Sequence, residues 1–213
     1  MDTDRLIDSL SRDVRSVPRH AVGRRLAIGV VGGGLITAVL VATLLGLRPD
    51  LATAVRGFSF WMKWTYTLSV GIVAIIATAR LARPTGVSLW PLWALAIPAL
   101  LLTGIGIGEL ASTPGQKWLA MWLGESWKVC PWLVLMLSLP IFVGLFWAFR
   151  ALAPVRLRAA GATAGLAAGA WAATIYCLHC PEVSALFVLT WYSLGIVLAT
   201  ALGALLGPRF LRW

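Results

Sequence analysis

Histidine and cysteine are scarce in this 213-residue chain, which holds two of the first and three of the second. Negative charge is scarce as well, with eight acidic residues against 18 basic ones. Each shortage excludes some chemistry. A haem clasped by two histidines needs both at one site, whereas His20 and His179 fall on opposite sides of the layout read below. A single histidine beside the cysteines, without serine and acid partners in a recognisable arrangement, leaves no hydrolytic triad. The long apolar runs are almost free of ionisable residues, and ion-coupled transporters and proton pumps usually carry such groups near the membrane midplane. The glycine runs Gly32–Gly34 and Gly104–Gly108 lie inside apolar stretches and make no phosphate-binding loop. No catalytic residue, cofactor or resident metal is assigned, and the chain is not expected to be an enzyme.

What is abundant is apolar sequence, at 60% of all residues and a mean hydropathy of +0.87. Runs of about 20 apolar residues cross a bilayer as helices. Six are present, at about 26–47, 60–79, 89–108, 132–149, 159–178 and 184–206. The expected fold is an all-α integral membrane protein: a six-helix transmembrane bundle (residues 26–213) preceded by a short polar head (1–25). Arg24 and Arg25 before the first run resemble a twin-arginine signal, but the run is too long for a signal core and five more follow, so a retained helix is expected.

The formal charge of +10 would suggest nucleic acid in a soluble protein. Its distribution suggests topology instead. With the amino terminus inside, Arg5, Arg12, Arg15, Arg19, Arg24, Arg25, Arg80, Arg83, Arg150, Arg156, Arg158, Arg209 and Arg212 share the inner side. Arg48, Arg56, Lys63, Lys117 and Lys128 remain outside, giving 13 against 5 of the 18 basic residues. The positive-inside rule then places both termini in the cytoplasm. The lipid bilayer is the expected partner of this charge, and direct nucleic-acid binding is not. Lys63, near the outer end of the second run, is expected to snorkel outward.

In the head, Leu6, Leu10 and Val14 recur every four residues, with Ile7 beside them. Asp2 and Asp4 precede this stripe, Arg12 and Arg15 end it, and Pro18 stops it. The order suits a short amphipathic helix that lies on the membrane or docks a cytoplasmic partner. Small residues one turn apart (Gly29 and Gly33; Gly161, Gly165 and Gly169; Gly203 and Gly207) predict close helix packing within the bundle, with homo-oligomerisation as the alternative. In the loop between the third and fourth runs, Thr113, Pro114 and Gln116 read as a capping box ahead of an interfacial helix bearing Trp118, Trp122 and Trp127.

The stretch YCLHCPE, residues 176–182, joins two thiols, an imidazole and a carboxylate in an otherwise apolar chain. Cys130 opens the fourth run from the same side, so all three thiols face one outer compartment, the periplasm in a Gram-negative cell. Unpaired thiols are unusual in that oxidising space. Four readings stand: a buried small apolar residue, especially for Cys177; a disulfide between Cys130 and Cys180; a partial metal site from Cys130, Cys177, Cys180 and His179; and a thiol switch. Lys128 or a protonated His179 would favour a thiolate there. The Cys-x-x-Cys spacing lacks the βαβ pattern of a thioredoxin-like enzyme.

The head RLIDSL, the six runs, the outer cysteine in WKVCPWLVLMLSLP and the second in LHCPEVSALFVLTWYSLGI together resemble the NrsF-type membrane anti-sigma factors, negative regulators of an extracytoplasmic-function sigma factor. The resemblance covers nearly the whole chain and is most specific from His179 to Ile196. It implies a head that holds the sigma factor at the inner face, through the apolar stripe (Leu6, Ile7, Leu10, Val14) or through the arginines (Arg12, Arg15). It also implies sensing of a metal or oxidant by the paired cysteines Cys130 and Cys180, with Cys177 and His179 as neighbours and Cys177 outside the family pair. The competing expectation is a membrane redox or metal-handling enzyme using the same cysteines; a third is a scaffold subunit with a structural disulfide.

Overall fold

Long apolar runs with few internal breakers become helices, because a helix satisfies every backbone polar group within its own segment. The computed structural model of the protein describes residues 3, 7, 20–83, 90–150, 152 and 154–212. Among them there is no strand. Six long helices follow in order: α1 (Ala21–Leu45), α2 (Phe58–Leu81), α3 (Trp90–Ser112), α4 (Cys130–Phe149), α5 (Leu157–Tyr176) and α6 (Ala185–Phe210). All but α5 are long and apolar enough to cross a membrane. Of the head's stripe only Ile7 is described, as an exposed helical residue. Leu6, Leu10, Arg12, Val14 and Arg15, with the Pro18 stop, lie outside the described residues.

α5 is rich in alanine and glycine, and it is the centre of the bundle, packed on α2, α4 and α6. Its glycines set the spacing. A Cβ at Gly161 would collide with the Gly203 carbonyl oxygen, and one at Gly165 with that of Ala199. α1 meets α4 in the same way, Gly29 against Gly144 and Gly33 against Pro140 and Ile141. The predicted small-residue faces are therefore used within one chain, where they let backbones touch. Pro140 interrupts the α4 ladder, and in that disturbed turn the Leu137 carbonyl accepts a hydrogen bond from Thr37 Oγ1 at 2.9 Å.

The chain reverses between helices at two ends that differ in kind. At one end lie Arg24, Arg25, Arg80, Arg83, Arg150, Arg156, Arg158, Arg209 and Arg212, nearly all exposed. At the other lie the three cysteines and all four described acids, Asp50, Glu109, Glu125 and Glu182. There the predicted capping box does not form. Thr113 terminates α3, and its hydroxyl points at Met121 Sδ, 3.9 Å away. Trp118 Nε1 takes the carbonyls of Leu110 and Thr113 instead, as the first residue of the short helix Trp118–Leu123. Trp122 and Trp127 stack on Trp191 of α6, with centroids 5.5 and 5.3 Å away.

Candidate functional site

Cys130, Cys177 and Cys180 are all free and fully buried. Their positions follow from helix ends. Cys130 begins α4, with Pro131 directly after it where a missing N–H costs nothing. Cys177 is the residue on which α5 stops. Cys180 sits in the turn beyond, its N–H bonded to the Tyr176 carbonyl at 3.1 Å. The Cys130 and Cys180 thiols are close neighbours, and Cys177 lies beside them. The structure thus brings together the four residues singled out around YCLHCPE, but His179 turns away from the thiols. Its Nδ1 is 2.9 Å from the Gly46 carbonyl. A carbonyl only accepts, so the proton is on Nδ1. Among the described residues no three of the histidines, cysteines and acids are grouped to hold a metal.

The segment from Cys177 to Ser184 is fastened on every side. Lys63 is the main correction to the sequence reading. It does not snorkel: it is fully buried and its Nζ donates to the carbonyls of Cys180 at 3.0 Å and Glu182 at 2.6 Å. A loop without a regular backbone partner leaves carbonyls orphaned, and a buried ammonium supplies the missing donors. Arg48 works from the other flank. Its backbone N–H reaches the Leu178 carbonyl at 3.1 Å, and its Nη1 lies 3.5 Å from that of Cys180. Nε and Nη2 clasp Asp50 in a bidentate pair, each 2.7 Å long. The pair raises the Arg48 pKa and lowers that of Asp50, chiefly through this hydrogen bond.

Two acids complete the fastening. The Glu182 carboxylate accepts from the backbone N–H groups of Glu125 (2.8 Å) and Ser126 (3.1 Å) and from Ser126 Oγ (3.0 Å). Glu109, at the end of α3, accepts from Ser184 Oγ and the Ala185 N–H, both at 2.9 Å, and so caps α6 from another helix. The two glycines with positive φ serve the same segment. Gly46, at φ 77°, ends α1 and offers its carbonyl to His179. Gly124, at φ 59°, leaves the space that the Glu182 carboxylate fills, since a Cβ there would be 2.5 Å from Glu182 Oε2.

Sequence reasoning missed Arg48, Glu182 and Tyr192 as parts of this site and misread Lys63. Tyr192 closes a π-helical turn, Val188–Tyr192, near the start of α6, and that wide turn places its buried hydroxyl near Cys177 and Cys180 without hydrogen-bond geometry to any partner. Cations beside the thiols were expected to be Lys128 or His179. Lys128 instead lies over the Trp127 ring, 5.4 Å from its centroid. The adjacent Cys130 thiol and the nearby Lys63 charge hold the Cys180 thiol below the usual thiol range, against the opposing effect of burial. A thiol so placed is the one most ready to lose its proton.

Below the thiols a polar thread runs into the helices. Thr67 of α2 bonds Thr174 of α5, Oγ1 to Oγ1, at 3.0 Å, and Trp64 Nε1 donates to the Thr174 carbonyl at 3.1 Å. The Cys177–Ser184 segment is thus tied to the ends of α1, α3 and α4 and to the interior of α2.

The known proteins that this chain resembles share its whole length. It is 37% identical over 213 residues to the probable anti-sigma-F factor NrsF of Azospira oryzae, covering 100% of both chains. It is 38% identical over 215 residues to the anti-sigma-F factor NrsF of Caulobacter vibrioides, again with 100% of both covered. No solved structure matches it. The family described as NrsF, negative regulator of sigma F, matches residues 10–213, a range that holds all three cysteines and every residue that fastens them; the chain belongs to the NrsF family.

Proposed function

We propose that this chain is a membrane anti-sigma factor that holds an extracytoplasmic-function sigma factor at the cytoplasmic face and frees it when Cys130 and Cys180 react on the other side. The full-length likeness to proteins named anti-sigma-F factors supports the partner class. In this reading the chain is a regulator without a catalytic step, α5 also crosses and brings the spans to six, and its low apolarity follows from being enclosed by neighbours. Six crossings return both termini to one side, and the arginine-rich end faces the cytoplasm. The head, residues 1–25, carries the docking surface, with Leu6, Ile7, Leu10, Val14, Arg12 and Arg15 as its contacts.

One observation carries the sensing half: the free, buried and neighbouring thiols of Cys130 and Cys180 link the start of α4 to the α5–α6 connection. A two-electron oxidant such as a peroxide closes an S–S bond between them. The two thiols give up two electrons and two protons, and the peroxide leaves as water. A soft divalent cation acts on the same pair by displacing both thiol protons. Either event moves helix ends that Lys63, Arg48 and Glu182 otherwise hold in place. Rigid helices transmit such shifts across about 30 Å of hydrocarbon.

The test is a pull-down of detergent-solubilised full-length protein, beside a chain lacking residues 2–20, before and after peroxide. A sigma factor should accompany the full-length chain alone and leave on oxidation. Retention by the truncated chain would overturn the role of the head. Release that persists in the C130S/C180S double variant would overturn the role of the thiols.

A further inference from the structure

A groove of about 420 Å³ runs between α4 and α6 at the arginine-rich end. Its walls are Leu139, Phe142, Val143, Phe146 and Trp147 of α4, and Leu206 and Phe210 of α6, with Arg150 at its mouth. We propose that this groove binds an anionic phospholipid, one acyl chain lying along α4 and the headgroup phosphate on Arg150. The inference does not rest on sigma-factor binding.

Three observations fix the occupant. The first is register. Leu139, Val143, Phe146 and Arg150 follow one another at intervals of four, three and four, and Trp147 stands four after Val143 and three before Arg150, so the guanidinium lies in line with the apolar strip rather than on another face. The second is length. Eleven residues separate Leu139 from Arg150, about 16 Å of helix, and one leaflet of hydrocarbon is about 15 Å deep. The groove therefore spans one leaflet from headgroup level toward the midplane, the reach of a single acyl chain. The third is charge. Among the described residues no acid lies at this end to pair with Arg150. Arg209 follows Leu206 by three residues and is exposed near the same mouth. Val143, Trp147 and Phe210 are all more than half exposed in the isolated chain, so the strip is open to lipid.

The test uses full-length protein, delipidated in detergent and titrated with dipalmitoyl phosphatidylglycerol or dipalmitoyl phosphatidylcholine, with bound lipid counted by native mass spectrometry. The anionic lipid should bind more tightly, and R150Q should weaken it about fivefold, the effect of one arginine at a headgroup, while leaving the zwitterionic lipid unchanged. V143W fills the groove from an exposed position and should remove the bound molecule for both lipids. R83Q removes an arginine from the same end but from α2's terminus, and should change nothing. Equal affinity for the two lipids would overturn the proposal. So would an unchanged preference in R150Q, or a loss in R83Q as large as that in R150Q, which would mark a diffuse basic surface.

Discussion

The two ends of this bundle use charge in opposite ways. At the cysteine end Lys63 is buried and committed to backbone carbonyls, Arg48 is buried between Asp50 and the Cys180 carbonyl, and Glu109 and Glu182 are committed to backbone N–H groups. At the arginine end nine guanidiniums are spread over the surface, with no acid among the described residues there. A charge tied to backbone fixes a conformation; a solvated charge fixes an orientation in a field. The same residue types are thus architectural at one end and spread over the surface at the other, and the thiols sit at the architectural end.

The sharpest way to break this comparison is Lys63→Met. Methionine keeps the apolar stem and removes the buried charge, but it strands the Glu182 carbonyl and leaves that of Cys180 with only Arg48 Nη1, 3.5 Å away. Relief of desolvation favours the variant, while each stranded carbonyl costs about 1–3 kcal/mol. The expected net loss is about 2 kcal/mol in unfolding free energy in detergent. Amide exchange should also rise across residues 178–185. The arginine-end counterpart, R83Q, should stay within about 0.5 kcal/mol of the parent. A neutral or stabilising K63M would show that the two ends do not differ as argued.

A smaller effect is expected from Glu182→Ala. The carboxylate accepts three hydrogen bonds from residues 125 and 126, but those residues lie near the surface and water replaces part of what is lost. A loss of about 1 kcal/mol is expected, with the loop before α4 freed first. If Glu182 positions Cys130 through that loop, alkylation of Cys130 should speed up in the variant. An unchanged rate would confine Glu182 to stability.

The contrast between the ends also explains what the sequence could reveal. The 13-to-5 split of basic residues and the long apolar runs are statements about surface and lipid, and they can be read from composition along the chain. Helix existence and approximate limits were legible for the same reason: α2 was expected at 60–79 and runs Phe58–Leu81. α5 shows where the logic weakens. The helix with the most neighbours needs the least apolarity of its own, because alanine and glycine give close backbones rather than a lipid-facing surface. α3 is its opposite, burying only Pro91, Leu102 and Gly106 while keeping high hydropathy. The fastening of the cysteine loop was not legible. Lys63 lies 117 residues from Cys180 in sequence, and nothing local to WMKWT says whether an ammonium turns to water or to an orphaned carbonyl. The thiols were visible as a cluster; what holds them depended on contacts between distant segments.

The smallest predicted effect tests whether burial or pairing sets the value of a charge at the cysteine end. Asp50 is fully paired with Arg48, yet it is open to solvent. Its pKa is lowered in the folded chain, so its contribution to stability is present above the ordinary carboxylate value of 3.8 and is lost as pH falls through the lower folded value. The unfolding-midpoint difference between parent and D50N should therefore be constant from neutral pH down to about 5 and shrink below about 4. Taking the difference against D50N removes whatever pH dependence both chains share. Salt should reduce it at neutral pH, because an exposed pair is screened. A difference as large as that of K63M would mean that Asp50 acts through Arg48 on the Cys180 carbonyl, and that pairing at the surface holds the thiol loop as firmly as burial does.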